Sequence, residues 1–262
     1  APTFELTDFA TPGGSITINL GDGDDTLSVA SIDPLFAGSL FVFGDDGTDS
    51  VSFGEIGATN IAGDLFVDAE TTSQVMGNSL TVAGITDFVG NDVTLPESTN
   101  NFIGTVGLGL AGNATLVDSS SIDLSFVNVG GNLTLDATGH IFDFGAVFVS
   151  GQASFRANLN DIILDDPGND LSIVEILLAR DVVLVDRSGF ELGGSGQNIT
   201  SSLTLNSQGS LISQGPTGAI SGTGSLSLQS GFLQLTVANT YTGTTTVGDG
   251  ISPATLVVDG SI

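Results

Sequence analysis

Six aspartates, Asp22, Asp24, Asp25, Asp45, Asp46 and Asp49, fall in two glycine turns, Gly21-Asp-Gly-Asp-Asp-Thr-Leu27 and Asp45-Asp-Gly-Thr-Asp-Ser-Val51. Carboxylates crowded with turn carbonyls suit a hard, oxygen-preferring cation, and Ca²⁺ is the ion such a donor set would hold. The competing reading is that Asp fills turns because its side chain bonds its own backbone there. Convergence on one ion requires the two turns to lie side by side.

The flanking residues supply that arrangement. Ser15–Val29 repeats as Ser39–Phe53 at an offset of 24 residues. Ile16 falls on Leu40, Ile18 on Val42, Asp25 on Asp49, Leu27 on Val51 and Val29 on Phe53. Each copy reads strand, acidic turn, strand, with the alternation of a strand that buries one face. Gly23 and Gly47 supply the backbone freedom the turns require. A unit of this length recurring along a chain marks a solenoid, in which each unit buries its apolar side only by stacking on the next. Stacking would set Asp25 and Asp49 one strand spacing apart.

The remaining chain continues the pattern more loosely. Asn113-Ala-Thr-Leu116 maps onto Asn132-Leu-Thr-Leu135 at 19, Gly131 onto Gly151 at 20, and Asp161–Asp166 onto Asp181–Asp186 at 20, with Leu203–Leu205 20 beyond Val183–Val185. Gly-Asn and related pairs mark the corners. A period drifting from 19 to 24 over 262 residues predicts an all-β fold. Its form is a parallel β-helix (β-solenoid) of about twelve coils and about 55–60 Å. Residues 1–14 read as a lead-in or partial cap and 15–262 as one solenoid. Within it lie Asp-rich turn repeats (15–63), Gly/Asn-turn repeats (64–221) and a Ser/Thr/Gly-rich end (222–262). Val174–Ala179 is the one place where a helical turn competes. The chain stops at Ile262 within an apolar strand, which reads as a fragment or as a subunit that something else caps.

Composition narrows the partners. Three basic residues against 30 acidic ones give a net charge of −27, which repels nucleic acid phosphates and anionic lipid headgroups. Basic partners and divalent cations are attracted instead. There is no Cys, so disulfides and thiolate metal sites are excluded. No apolar run is long enough to span a membrane, and a chain with no Trp and the single Tyr241 lacks the aromatic girdles of an outer-membrane barrel. Ala1 is not followed by a leader pattern, so an export signal is removed or lies outside this sequence.

Three resemblances follow from these residues. GTGSLSL…NTYTGTTTV…ATLVVDGSI, residues 222–262, resembles the autotransporter-associated β-strand repeat of exported bacterial passenger domains. Residues 161–228 are similar to the strand repeats of filamentous-haemagglutinin-like surface proteins. Together they imply a right-handed β-helix displayed outside the cell as a stalk or adhesive surface. The first Asp turn is similar to the glycine-aspartate nonapeptide of calcium-binding β-rolls, with Gly23 and Asp25 on its glycine and ligand positions, and Gly47 and Asp49 likewise in the second. Leu20 and Asp45 stand where that motif has glycine, and the copies are 24 apart instead of nine, so its interleaved half-sites do not form as such.

Catalytic chemistry has less support. Asp165-Asp166 is the nearest carboxylate pair for glycoside hydrolysis, yet it precedes Pro167-Gly168 in a turn without flanking aromatics. There is no Lys for a lyase base, only Arg156, Arg180 and Arg187. Arg180 and Arg187 are expected to pair with the neighbouring Asp181 and Asp186. His140 is read as a turn or surface residue. Thr240–Thr246 is a Thr-rich strand face. Phe36, Phe41, Phe43, Phe53 and Phe66 are read as stacked core aromatics, and the triplets at Asn113, Asn132 and Asn198 fit the glycan acceptor pattern. The expectation is a non-enzymatic extracellular rod with no catalytic residues and no certain cofactor, Ca²⁺ being the candidate. Its partners would be a protein or glycan on another surface, or copies of itself stacked end to end into a fibre or layer.

Overall fold

Leu40, Val42, Leu65 and Val67 alternate with Phe41, Phe43, Phe66 and Asp68, and in the computed structural model the first set points inward and the second outward. The structure describes residues 14–33 and 35–259. Among these every regular element is a strand, and all the strand pairing is parallel. The lead-in before Gly14 and the chain end at Ile262 lie outside the described residues.

The strands stack on three faces. On the first, Ile16 pairs with Leu40, Leu40 with Leu65, Leu65 with Thr86 and Thr86 with Val106. On the second, Thr26 pairs with Ser50, Ser50 with Thr71 and, further on, Ala114 with Leu133 and Leu133 with Ala153. On the third, Thr59 pairs with Leu80, then Ile141 with Ile162 and Ile162 with Val182. The result is a β-solenoid of about twelve turns, and its pairing continues through residues 63–64 and 221–222.

The repeats read from sequence are the registers of the stack: Ile16↔Leu40, Leu27↔Val51 and Val29↔Phe53 at 24, Ala114↔Leu133 at 19, and Ile162↔Val182 at 20. Two details differ. Leu203 pairs with Val182 rather than Val183, because the turns after Ala179 are irregular and shift the register by one. The spacing also runs wider than expected at both ends, with Leu40 and Leu65 25 apart and Val106 and Leu124 only 18. Val174–Ala179 lies inside the strand Asp170–Val185, where Val174, Ile176 and Ala179 stack on neighbouring strands as wholly buried core residues. Tertiary pairing overrides any local helical preference.

The interior is a continuous apolar column. Val42, Val67, Leu116, Leu135, Phe155, Leu184 and Leu205 have no exposed surface. Corners are a harder problem, since a strand that starts or ends there leaves N–H groups without a ladder partner in a dry interior. Buried amides and carboxylates fill those gaps. Asn100 Oδ1 accepts from Leu80 N, Asn169 Oδ1 from Val147 N, Asp186 Oδ2 from Leu171 N, Gln197 Oε1 from Ile176 N and Asn239 Oδ1 from Ile220 N, each bond 2.7–2.8 Å. Asp118 Oδ2 does the same for Phe102 N.

Candidate interaction surface

Two features of the exterior carry chemistry: the corner between the first and second faces, and the outward side of the first face. The corner begins with the Asp turns. Gly23 and Gly47 have φ of 120° and 146°, and a Cβ on Gly47 would sit 2.0 Å from the carbonyl oxygen of Gly23. Both positions therefore need glycine for conformation, and Gly47 needs it for close stacking as well.

The six aspartates divide by environment. Asp22, Asp24, Asp45 and Asp46 are exposed, Asp25 is half-buried, and Asp49 is fully buried. The backbone N–H of Asp25 donates to Asp49 Oδ1 at 3.0 Å, Thr48 N to Asp24 Oδ1 at 3.0 Å, and Asp49 N to Glu70 Oε2 at 2.6 Å. Asp49 Oδ2 is buried without a partner. Burial pushes the Asp49 carboxyl above its ordinary range, opposed by the bond from Asp25 N and reinforced by the charges of Glu70, Asp25 and Asp24. Stacking does bring Asp25 beside Asp49, but through a backbone-to-carboxylate bond. Among the described residues, no group of three or more His, Cys, Asp or Glu side chains is placed to hold a metal ion.

The same corner continues upward as a polar ladder. Asn113 N donates to Asp92 Oδ1, Asn132 N to Asn113 Oδ1 and Gln152 N to Asn132 Oδ1 at 2.7–2.9 Å. Asn113 and Asn132, which fit the glycan acceptor pattern, thus serve as ladder acceptors. Gln152 reaches Glu175, which is 7% exposed and also accepts from Ser154 Oγ and from the N and Oγ of Ser195. Although burial opposes it, these bonds hold the Glu175 carboxyl below its usual range.

The first face corrects the aromatic assignment. Phe36 and Phe53 are buried, but Phe41, Phe43 and Phe66 point outward and are only half-buried. Period-2 geometry gives the inward places to Leu40, Val42, Leu65 and Val67, leaving the aromatics outside. Phe41 stacks on Phe66 in register, Phe66 on Asp87, and Asp87 on Gly107. The Phe43 and Phe66 rings lie 5.3 Å apart. With Asp64 and Asp87 they line a groove of about 300 Å³. Further along, Phe126, Asn128, Phe148 and Asp170 line a second groove of about 480 Å³, with the Phe126 and Phe148 rings 5.8 Å apart.

Arg180 pairs with its neighbour Asp181 at 3.0 Å, as the sequence suggests, and the stack adds partners that the sequence does not show. Arg180 also meets Asp161 at 2.7 Å, and Arg156 pairs with Asp136 at 3.3 Å. Arg187 does not pair with Asp186, which is buried and engaged by the backbone of Leu171, Ser188 and Gly189. It reaches instead to Asp170, with Nη2 2.6 Å from Oδ2, and lies 5.2 Å from the centre of the Phe148 ring. His140 Nδ1 accepts from Asp161 N at 3.1 Å, and the ring stacks on Phe142 at 5.1 Å. Asp165 and Asp166 donate their N–H groups to the two oxygens of Asp143. Thr245 and Thr246 stand exposed in the strand Thr245–Val247.

Residue type alone assigns these aromatics to the core and so hides the outward grooves. The signal was present in the strict alternation of LFVF and LFVD. No helix among the described residues is long and apolar enough to cross a membrane. No curated protein and no solved structure matches the chain. What it is similar to, over residues 47–109 and 111–176, is a family described as repeats of unknown function (DUF5649), whose two adjoining matches together fill most of the stack between the Asp turns and Ile176.

Proposed function

We propose that this chain is a non-enzymatic structural segment of an exported bacterial surface protein, a stiff acidic rod that spaces or presents contacts outside the cell. The observation that carries the reading is the unbroken parallel stack, in which successive turns pair from Ile16 to Val258. Each turn rests on its neighbours, so the unit is stiff along its axis and extendable by further repeats. The repeat-family match supports a structural repeat protein. Export rests on the likeness of residues 222–262 to passenger-domain strand repeats, with the absence of Cys and the charge of −27 compatible with it.

An antibody raised against the chain should label intact cells of its source, and the purified chain should release no products from polysaccharides. Labelling that appears only after permeabilisation would overturn the surface assignment. Turnover of a polysaccharide would overturn the non-enzymatic one. Sedimentation distinguishes a single segment, which stays monomeric, from an end-to-end subunit, which gives a concentration-dependent ladder.

A further inference from the structure

The chain contains its own example of how its surface receives a cation. Arg187 lies over Phe148 and pairs with Asp170, so a guanidinium is held between an aromatic face and a carboxylate on the first face of the solenoid. Bonds from Ser188 and Arg187 hold the Asp170 carboxyl below its usual range.

Nearer the N-terminus the same face repeats these groups without the cation. Phe66 lies in register between Phe41 and Asp87, Phe43 packs against it at 5.3 Å, and Asp64 completes the groove. Among the described residues no arginine pairs with Asp64 or Asp87; Arg156, Arg180 and Arg187 are all engaged elsewhere. The Asp87 carboxyl is raised, first by burial and then by the charge of Asp64, the reverse of Asp170. One Asp64 oxygen is committed to Ile85 N at 2.9 Å, which fixes that carboxylate at the groove wall.

We propose that the groove of Phe41, Phe43, Phe66, Asp64 and Asp87 docks an arginine or lysine side chain from a basic segment of a partner protein. Charge decides the class of occupant. An aromatic face attracts a cation through its quadrupole, two unneutralised carboxylates add to this, and a chain of charge −27 steers basic segments toward itself. Its three basic residues are spent within the chain, so the cation must come from outside. The inference holds wherever the chain is located and so stands apart from its proposed export.

The test uses the peptide acetyl-Gly-Arg-Gly-Arg-Gly-amide, titrated calorimetrically and followed by amide chemical shifts. Binding should shift the amides of residues around Phe66 and Asp87. Phe66→Leu, which removes a ring without changing charge, and Asp87→Asn should each weaken it by about three- to tenfold. Both residues face outward, and a cooperative melt with unmoved amides away from the groove will show that each variant folds. Glu97→Gln, which removes a charge elsewhere, should leave binding unchanged. The proposal is overturned if the peptide does not bind, or if Glu97→Gln weakens it as much as Asp87→Asn while Phe66→Leu has no effect, which is diffuse attraction. It is also overturned if a neutral oligosaccharide shifts these amides and the peptide does not.

Discussion

The backbone N–H of Asp25 donates to Oδ1 of Asp49, 24 residues further on, while Oδ2 of the same buried carboxylate meets no donor. One residue thus closes the corner of the preceding turn and carries an unneutralised charge into the interior. The balance between those roles depends on pH.

Burial is the main cause raising the carboxyls of Asp49, Asp118, Asp143 and Asp186 above 3.8. An acid whose folded pKa lies above its unfolded one contributes stability that is complete below the unfolded value and is lost as pH rises through the folded value. Melting temperature should therefore rise on acidification from pH 7 toward about 4. Below that it should fall, as Asp170, Glu175 and Asp181, whose carboxyls are lowered, become protonated. Asp49→Asn keeps an acceptor for Asp25 N and removes the charge. It should melt about 2–4 °C higher at neutral pH and show a flatter acid rise. A wild-type melt that shows no rise anywhere between pH 7 and about pH 4 would sink this account.

Asn100 is fully buried, accepts from Leu80 N and Gln74 Nε2, and donates to Gln74 Oε1 and Leu95 O. Asn100→Ala leaves several of these groups dry and unpaired and should cost about 2–4 kcal/mol in denaturant unfolding. Asn91→Ala, at an exposed corner, should cost less than about 0.5 kcal/mol. Equal costs would show that the buried amide is not a staple.

Arg187 and Asp170 are about half and one-third exposed, so their ion pair contributes little to stability. Arg187→Ala should lower stability by less than about 1 kcal/mol, yet uncover the aromatic-carboxylate pair of Phe148 and Asp170. The arginine peptide should then shift amides around Phe148 that it leaves unmoved in the wild type. No new shift there would mean the guanidinium is not what this pair of groups selects.

The Asp turns are tested by thermal melts in millimolar Ca²⁺, in Mg²⁺ and in chelator. With Asp24 and Asp49 accepting backbone N–H groups, both ions should raise the melting temperature alike, by screening, and Asp25→Asn/Asp49→Asn should respond as the wild type does. A shift specific to Ca²⁺ that the double variant loses would instead assign the corner as a metal site, since an ion binding only the folded state stabilises it by mass action.

What the sequence determined alone is the stacking register over much of the solenoid. Ile16 sits on Leu40 and Leu27 on Val51 as the alternation requires, because a slip of one residue would turn every apolar side chain outward and bury its polar neighbour. Gly23 and Gly47 were legible for a related reason: no other residue fits the corner conformation they adopt. What only the tertiary structure decided is which residues meet across turns. Phe41, Phe66 and Asp87 form one column although 25 and 21 residues separate them, and Arg187 passes over adjacent Asp186 to reach Asp170. The same holds for Asn100 and Asp186, whose residue types suggest the surface and whose positions bury them against unpaired N–H groups. Local pattern fixes which way a side chain points. Its partner is set by how many residues each corner inserts, and that count varies from turn to turn.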